Sequence, residues 1–334
     1  MPRSRRKREW RTPRFERGPS LGRGEEQSHH LDEHCRRQPC RHREFHADAA
    51  SRRGVWGRVY DLDDGTVLKI AREACAGIGS GGAKIENECI ALQLLAATGA
   101  LAGLIPVVRG RGEIPPTSPL AAEGFAIWLR MTKVPGRSIS PEHVSGLSRS
   151  QQSRIARDVG VAVARVQAAL RDALAAARTG LAPASAMAAY AEITDAAERL
   201  GDPFYLDAIA TLTRVRLQVA PAVLAHAVHG DFNTSNILVG DDGGICGILD
   251  FAEWGADFRE KDFAHILHEL PAIADHVVAS YERASGFVTD PARLTLALAE
   301  NALFGAVIGE RQRDADGVQS CRRALSGALQ KLVG

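Results

Sequence analysis

The sequence predicts an α+β fold in two parts, a small strand-rich one followed by a larger, mostly helical one. Two observations predict it. Between Gly54 and Met131 short apolar runs alternate with turn residues, whereas from Ser153 onward apolar residues recur at helical spacing. The change falls at Thr132 to Ser140, TKVPGRSIS, which reads as a linker. Composition bounds the rest. The 334 residues are 45% hydrophobic and 25% charged, the balance of a globular protein rather than a collagen, a disordered chain or a disulfide miniprotein. No apolar run approaches about 18 residues without a charge or a breaker, so no membrane span is expected. Six cysteines are too sparse for a disulfide framework, and a reducing, cytoplasmic compartment is expected.

The net charge of +2 hides an asymmetry. Residues 1–53 hold 15 Lys/Arg against 8 Asp/Glu, and the remaining 27 and 32 leave 54–334 mildly acidic. The arm has few aliphatic residues and no period, so it is expected to be mostly disordered. Its run Arg3, Arg5, Arg6, Lys7, Arg8 reads as a solvated tail. Cys35, Cys40, His42 and His46 are zinc-ligand types, but a single residue separates the pairs, too crowded to close a tetrahedron, and no zinc site is expected.

In the body, Gly54–Tyr60 and Val67–Ile70 flank a polar turn and predict a strand hairpin. Residues 75–84 predict a Gly-rich loop, and Ile85–Thr98 a helix with Leu92 and Leu95 on the face of Glu88. Leu104–Arg109 and Gly124–Met131 predict two further strands. Ser153–Arg178 predicts a long amphipathic helix, with helices near 184–200 and 203–220 after it. Within His226–Phe263, Ile237–Val239 and Ile245–Leu249 predict short strands around DDGG; Phe263–Leu332 is helical again. The predicted organisation is thus an arm (1–53), a strand-rich lobe (54–131), a hinge (132–140) and a helical lobe (141–334).

The chemistry lies in HGDFNTSN, His229 to Asn236, and in Leu249-Asp250-Phe251. Asp231 sits on a glycine-assisted loop, Asn236 follows five residues later, and Asp250 ends the next strand pair. A hairpin of 237–239 and 245–249 would gather all three. That leaves one carboxylate to act as a base and two oxygen donors suited to Mg²⁺, with ATP phosphates completing the coordination.

These motifs resemble the HGDxxxxN and [IV]DF signatures of the aminoglycoside phosphotransferase and choline kinase family, distant relatives of protein kinases, over residues 54 to 334. The resemblance implies a bilobal protein-kinase-like fold and a small-molecule kinase using ATP and Mg²⁺. It implies Asp231 as catalytic base, with His229 ordering the loop rather than moving a proton, and Asn236 and Asp250 as metal ligands. It implies Gly54, Gly57 and Val59 as the phosphate loop, Lys69 on the α/β-phosphates, and a helix glutamate paired with it. Glu88 is preferred to Glu86 because it shares the core-facing stripe. Trp128 to Val134, including Met131, would form the adenine hinge.

The chain departs from the family in two places. Asp262 follows the metal motif one residue later than usual and is expected to anchor a helix start or the catalytic loop. Val166-Gln167 stands where Leu-His is common. Glu253, Asp257 and Glu269 are left open between an acidic wall for a cationic substrate and structural roles. The lack of an APE motif and of room for an activation segment argues against a protein kinase, and intact catalytic positions against a silent scaffold. Nothing in the body reads as a nucleic-acid surface. A hydroxylated small molecule resembling an aminoglycoside, choline or homoserine is the expected acceptor.

Overall fold

In the computed structural model, which describes residues 51–53, 57–72, 80–177, 186–220 and 226–333, three antiparallel strands come first: β1 (Ser51–Arg53), β2 (Gly57–Leu62) and β3 (Thr66–Arg72). Helix α1 (Gly81–Thr98) and strand β4 (Val108–Glu113) follow. A short helix α2 (Pro119–Ala122) and strand β5 (Phe125–Thr132) complete a five-stranded sheet of order β1-β2-β3-β5-β4. Strand β3 alternates: Leu68 and Ile70 pack with Ile114 and Phe125 on one face, while Ala71 joins Leu129, Met131 and the α1 residues Ile85, Leu92 and Leu95 on the other.

Three sequence expectations change here. Ser51–Arg53, assigned to the arm, pairs as an edge strand with Arg58–Tyr60. Helix α1 starts at Gly81, not Ile85, with the Ser80 hydroxyl capping the Ala83 N–H; a Cβ on Gly81 would come 2.4 Å from the Arg72 carbonyl, so a glycine that reads as loop permits close packing. The strand expected from Leu104 begins at Val108, because Pro106 has no N–H for the ladder. Gly54, residues 75–79 and the Cys35–His46 cluster lie outside the described residues.

The predicted linker contains a two-residue strand, β6 (Arg137–Ser138), which joins the later sheet. Then come α3 (Pro141–Ser145), the long α4 (Arg149–Ala177), α5 (Ala186–Leu200) and α6 (Pro203–Val219). Strand β7 (His226–Val228) leads into the HGDFNTSN loop, followed by the β8 (Ile237–Val239) and β9 (Ile245–Ile248) hairpin and β10 (Gly255–Asp257). Helices α7 (Ala264–Glu269), α8 (Ala274–Ser285), α9 (Pro291–Gln312) and α10 (Ala315–Val333) close the chain. The sheet β6-β8-β9 and the pair β7-β10 hold the segment His229–Asp250 between helices.

One core runs from the five-stranded sheet through α4 and α8 to Phe232, Phe251 and Phe263; a second lies among α5, α6, α9 and α10. Among the described helices, α9 alone is long and apolar enough to cross a membrane, yet more than half of its apolar window is buried in this second core. Among the described residues, Cys89, Cys246 and Cys321 take part in no disulfide.

Candidate active site

Strand alternation sends Lys69 to the same face as Val59 on β2 and Leu129 on β5, which are its direct cross-strand partners. Its Nζ donates to Glu88 Oε2 at 2.8 Å and to Asp250 Oδ1 at 2.7 Å. Glu88 belongs to the buried stripe of α1 and is 1% exposed. Glu86 faces elsewhere and pairs with Arg111 at 2.7 Å. Burial works against the Lys69 charge, but Asp250 and Glu88 outweigh it and hold its pKa above the usual lysine value. Asp250 has φ 61° and ψ 70°, in the left-handed region that non-glycine residues rarely occupy. That turn aims its carboxylate back at Lys69.

His229 is fully buried, its ring 5.3 Å from that of Phe232 and 4.5 Å from that of Phe251. Its Nε2 donates to the Leu249 carbonyl at 3.0 Å, and Nδ1 accepts the Asp231 N–H at 3.3 Å. Both nitrogens are therefore committed to backbone. Gly230, at φ 84°, is required: a Cβ there would lie 2.2 Å from the Glu253 carbonyl. Asp262 accepts the His229 N–H at 3.2 Å, the Gly230 N–H at 2.8 Å and the Gln167 amide at 2.9 Å. Gln167 in turn accepts from the Tyr281 hydroxyl at 2.8 Å. Asp262 thus fastens the loop backbone to α4 and α8, and burial pushes its pKa upward.

Asp231 is held from three sides. Asn236 Nδ2 donates to its Oδ2 at 3.0 Å, Asn233 Nδ2 to Oδ1 at 2.9 Å, and His265 Nε2 lies 3.0 Å from Oδ1. Burial alone would raise its pKa. The His265 bond and charge, with His229 and Asn233, instead hold it well below the usual carboxylate range. Sequence reasoning missed His265, Asn233 and the anchoring role of Gln167. Asn233 was visible inside the motif; His265 is separated from its partner by more than 30 residues and carried no local signal.

The remaining sequence candidates distribute as follows. Gly57 lies within β2, where a Cβ would come 1.9 Å from the Ile70 carbonyl, so the sheet itself demands a glycine. Met131 is buried opposite Val67 on the Lys69 face of β5. Glu253 pairs with Lys84 of α1 at 2.5 Å, and burial pushes its pKa up. Glu269 bonds His265 at 3.0 Å and Thr234 through its hydroxyl (2.6 Å) and N–H (2.9 Å). Asp257 is no substrate contact. It is 5% exposed, and its Oδ1 accepts from Arg216 at 2.6 Å and from the Phe258 N–H at 2.9 Å. The acidic wall therefore fails at Asp257, because Arg216 and Glu300 enclose that carboxylate in a buried cluster. Glu253 and Glu269 already spend their charge on internal cations.

The donors fit a hard cation. The Asn236 amide nitrogen is used by the Asp231 carboxylate and carbonyl, both at 3.0 Å, which leaves its oxygen for a metal. The second oxygen of Asp250 has no hydrogen-bond partner among the described residues, and its side chain is 37% exposed. The Leu249 N–H donates to the Asn236 carbonyl at 2.9 Å, which ties the two donor residues together. Two protein oxygens suit Mg²⁺, which keeps several non-protein ligands.

The model of the phosphotransferase enzyme family matches residues 52–296. Three solved structures illustrate the shared fold. The GDP complex of wild-type aminoglycoside 2′-phosphotransferase-IIIa superposes with TM-score 0.58 at 16% identity, over 85% of this chain and 92% of that one. The streptomycin–ATP ternary complex of APH(2″)-IIa gives 0.54 at 13%, over 83% and 93%. Macrolide 2′-phosphotransferase type I gives 0.53 at 20%, over 83% and 90%. No curated protein matches the chain.

Proposed function

The chain belongs to the phosphotransferase enzyme family, and we propose that it moves the γ-phosphoryl group of ATP to a hydroxyl of a small molecule. Lys69 carries this reading: one ammonium bridges a buried helix carboxylate, Glu88, and the partly exposed Asp250. A lysine used only to stabilise the fold would need no second, solvent-facing partner held in a left-handed turn. A lysine that receives phosphates beside a metal ligand needs both.

In this reading residues 54–131 cover the nucleotide and 132–140 form the hinge. Val59, Val67 and Met131 share the Lys69 face of the sheet, and the adenine lies against it. Lys69 then takes α/β-phosphate oxygens. Asn236 and Asp250 would hold Mg²⁺, which when bound neutralises charge on the phosphate oxygens. Asp231 accepts the proton of the attacking hydroxyl, and its low pKa suits a loose transition state in which positioning outweighs base strength. His229 and Asp262 hold the loop and touch no substrate. The acceptor is a hydroxylated small molecule of the aminoglycoside, choline or homoserine type; the related solved structures hold gentamicin, kanamycin and streptomycin.

The test is an ATP-consumption and thermal-shift screen with Mg²⁺ against aminoglycosides, macrolides, choline, ethanolamine, homoserine and simple sugars. Turnover that disappears in Asp231→Ala while nucleotide stabilisation persists is expected. No stabilisation by any nucleotide would end the reading.

A further inference from the structure

Among the described residues the Asp231 carboxylate has three side-chain donors, and two of them, Asn233 and Asn236, sit on its own loop. Those two move with Asp231 and cannot fix it relative to the rest of the protein. Among the described residues, His265, on the separate helix α7, is the one that reaches in from outside, at 3.0 Å. Its other nitrogen lies 3.0 Å from Glu269 Oε1, and Glu269 Oε2 returns to the loop at Thr234, accepting from both its N–H and its hydroxyl. The chain Asp231–His265–Glu269–Thr234 is a closed ring of contacts with two ends on the catalytic loop and two on α7.

We propose that His265 is a positioning residue for phosphoryl transfer, clamping the Asp231 carboxylate in one orientation with Glu269 as its brace. This rests on the reading of Asp231 as the base. An imidazole flanked by a carboxylate at each nitrogen donates from both, so it accepts no further proton and is not itself a base. Burial opposes its charge, but Asp231 and Glu269 together raise its pKa to about 9.

Among the described residues, the charged groups packed around it are paired elsewhere. From α9 the near group is the Asn301 amide, 3.4 Å from Nδ1, while Glu300 is turned to Arg216 and Lys261. From the turn Arg259–Phe263, Lys261 binds Glu300, Glu260 accepts from the Asp290 N–H and Asp262 holds the loop amides. From the loop itself the neighbour is Thr234. His268, on the same helix, lies 3.5 Å from Ser320, and burial lowers its pKa. What the clamp removes is displacement of the loop-borne carboxylate relative to the helical lobe, freedom that a near-attack geometry must otherwise restrict at each turnover.

Two measurements on the full chain test this. The first follows histidine side-chain NMR signals against pH, without any ligand, in the wild type and in Asp231→Asn. His265 should titrate well above 6.5 and fall toward that value in the variant. A wild-type midpoint near 6.5, or one indifferent to Asp231→Asn, overturns the clamp.

The second measures MgATP hydrolysis with water as acceptor. His265→Ala should lose roughly 10- to 100-fold in kcat with KM for ATP within about twofold. His265→Gln, whose amide can still donate to Asp231, should recover most of that loss. Equal impairment in both, or a change confined to KM, overturns the positioning role. Absence of nucleotide binding and hydrolysis in the wild type would instead sink the phosphotransferase reading, and the NMR titration would still decide the clamp.

Discussion

Asn87 and Trp254 exchange hydrogen bonds across the cleft-side face of α1: the Asn87 amide donates to the Trp254 carbonyl at 3.0 Å, and the Trp254 indole donates to the Asn87 carbonyl at 2.8 Å. The same amide also donates to the Ala252 carbonyl at 2.8 Å. This ties the residue before Glu88 to the segment after Asp250. The ion pairs of Lys69 are therefore spanned by a neutral lock that salt does not screen. Trp254→Phe puts a smaller aromatic ring in the buried position and removes the donor. It should cost about 1–3 kcal/mol in chemical denaturation, because the Asn87 carbonyl loses the second donor it has beside its helical one and the smaller ring leaves a buried gap. KM for MgATP should rise as Glu88 loosens. A variant with wild-type stability and KM would show that the lock positions nothing.

Lys69→Met should cost roughly 3–5 kcal/mol, since it strands Glu88 inside the protein. The double variant Lys69→Met/Glu88→Leu should regain most of that stability and none of the activity. Denaturation and turnover measured on the same samples separate the two. Stability that stays low in the double variant would mean that the cost lies in packing rather than in charge.

The raised pKa of His265 has a thermodynamic consequence with a definite sign. A histidine at about 9 in the folded state and about 6.5 unfolded contributes its stability fully below pH 6.5 and loses it as pH rises to 9. The full swing is on the order of 3 kcal/mol. Urea midpoints should fall across this window in the wild type and flatten there in His265→Gln. Parallel curves would show that other groups carry the dependence.

Asp262 gives the loop its shape, and its removal should reach the chemistry without touching substrate. Asp262→Ala leaves the His229 and Gly230 amides without their acceptor, so a loss of about 10²-fold in kcat is expected from misplacement of Asp231. Gln167→Leu removes one of three donors to the same carboxylate and should cost about 1 kcal/mol with a smaller kinetic loss. If Gln167→Leu proved the more damaging of the two, the anchor would lie on α4 rather than at Asp262.

The sequence revealed what is local. Asp231, Asn236 and Asp250 lie within 20 residues of one another, on a loop and one hairpin, so spacing alone brings them together. Lys69 and Glu88 were readable because strand and helix periods fix which face each occupies. His265 and Gln167 were not, because their roles arise only when α7 and α4 pack against a loop far away in sequence. Asp257 stayed open between a substrate wall and a structural role for the same reason: its partner Arg216 lies about 40 residues before it, and Glu300, which shares that arginine, about 40 after.

That buried cluster supplies the last prediction. Arg216 donates to Asp257 and to Glu300, both at 2.6 Å, Lys261 reaches Glu300 at 3.2 Å, and the second oxygen of Asp257 has no hydrogen-bond partner. Burial raises the Asp257 pKa, so its charge is the most expendable of the four. Asp257→Asn keeps the oxygen that accepts from Arg216 and the Phe258 N–H, and should shift stability by no more than about 1 kcal/mol. Arg216→Met leaves two buried carboxylates facing each other and should cost roughly 3–5 kcal/mol. Neither should change KM for an acceptor found in the screen, because the cluster is closed to solvent. A KM that rose in Asp257→Asn at unchanged stability would return Asp257 to the substrate site.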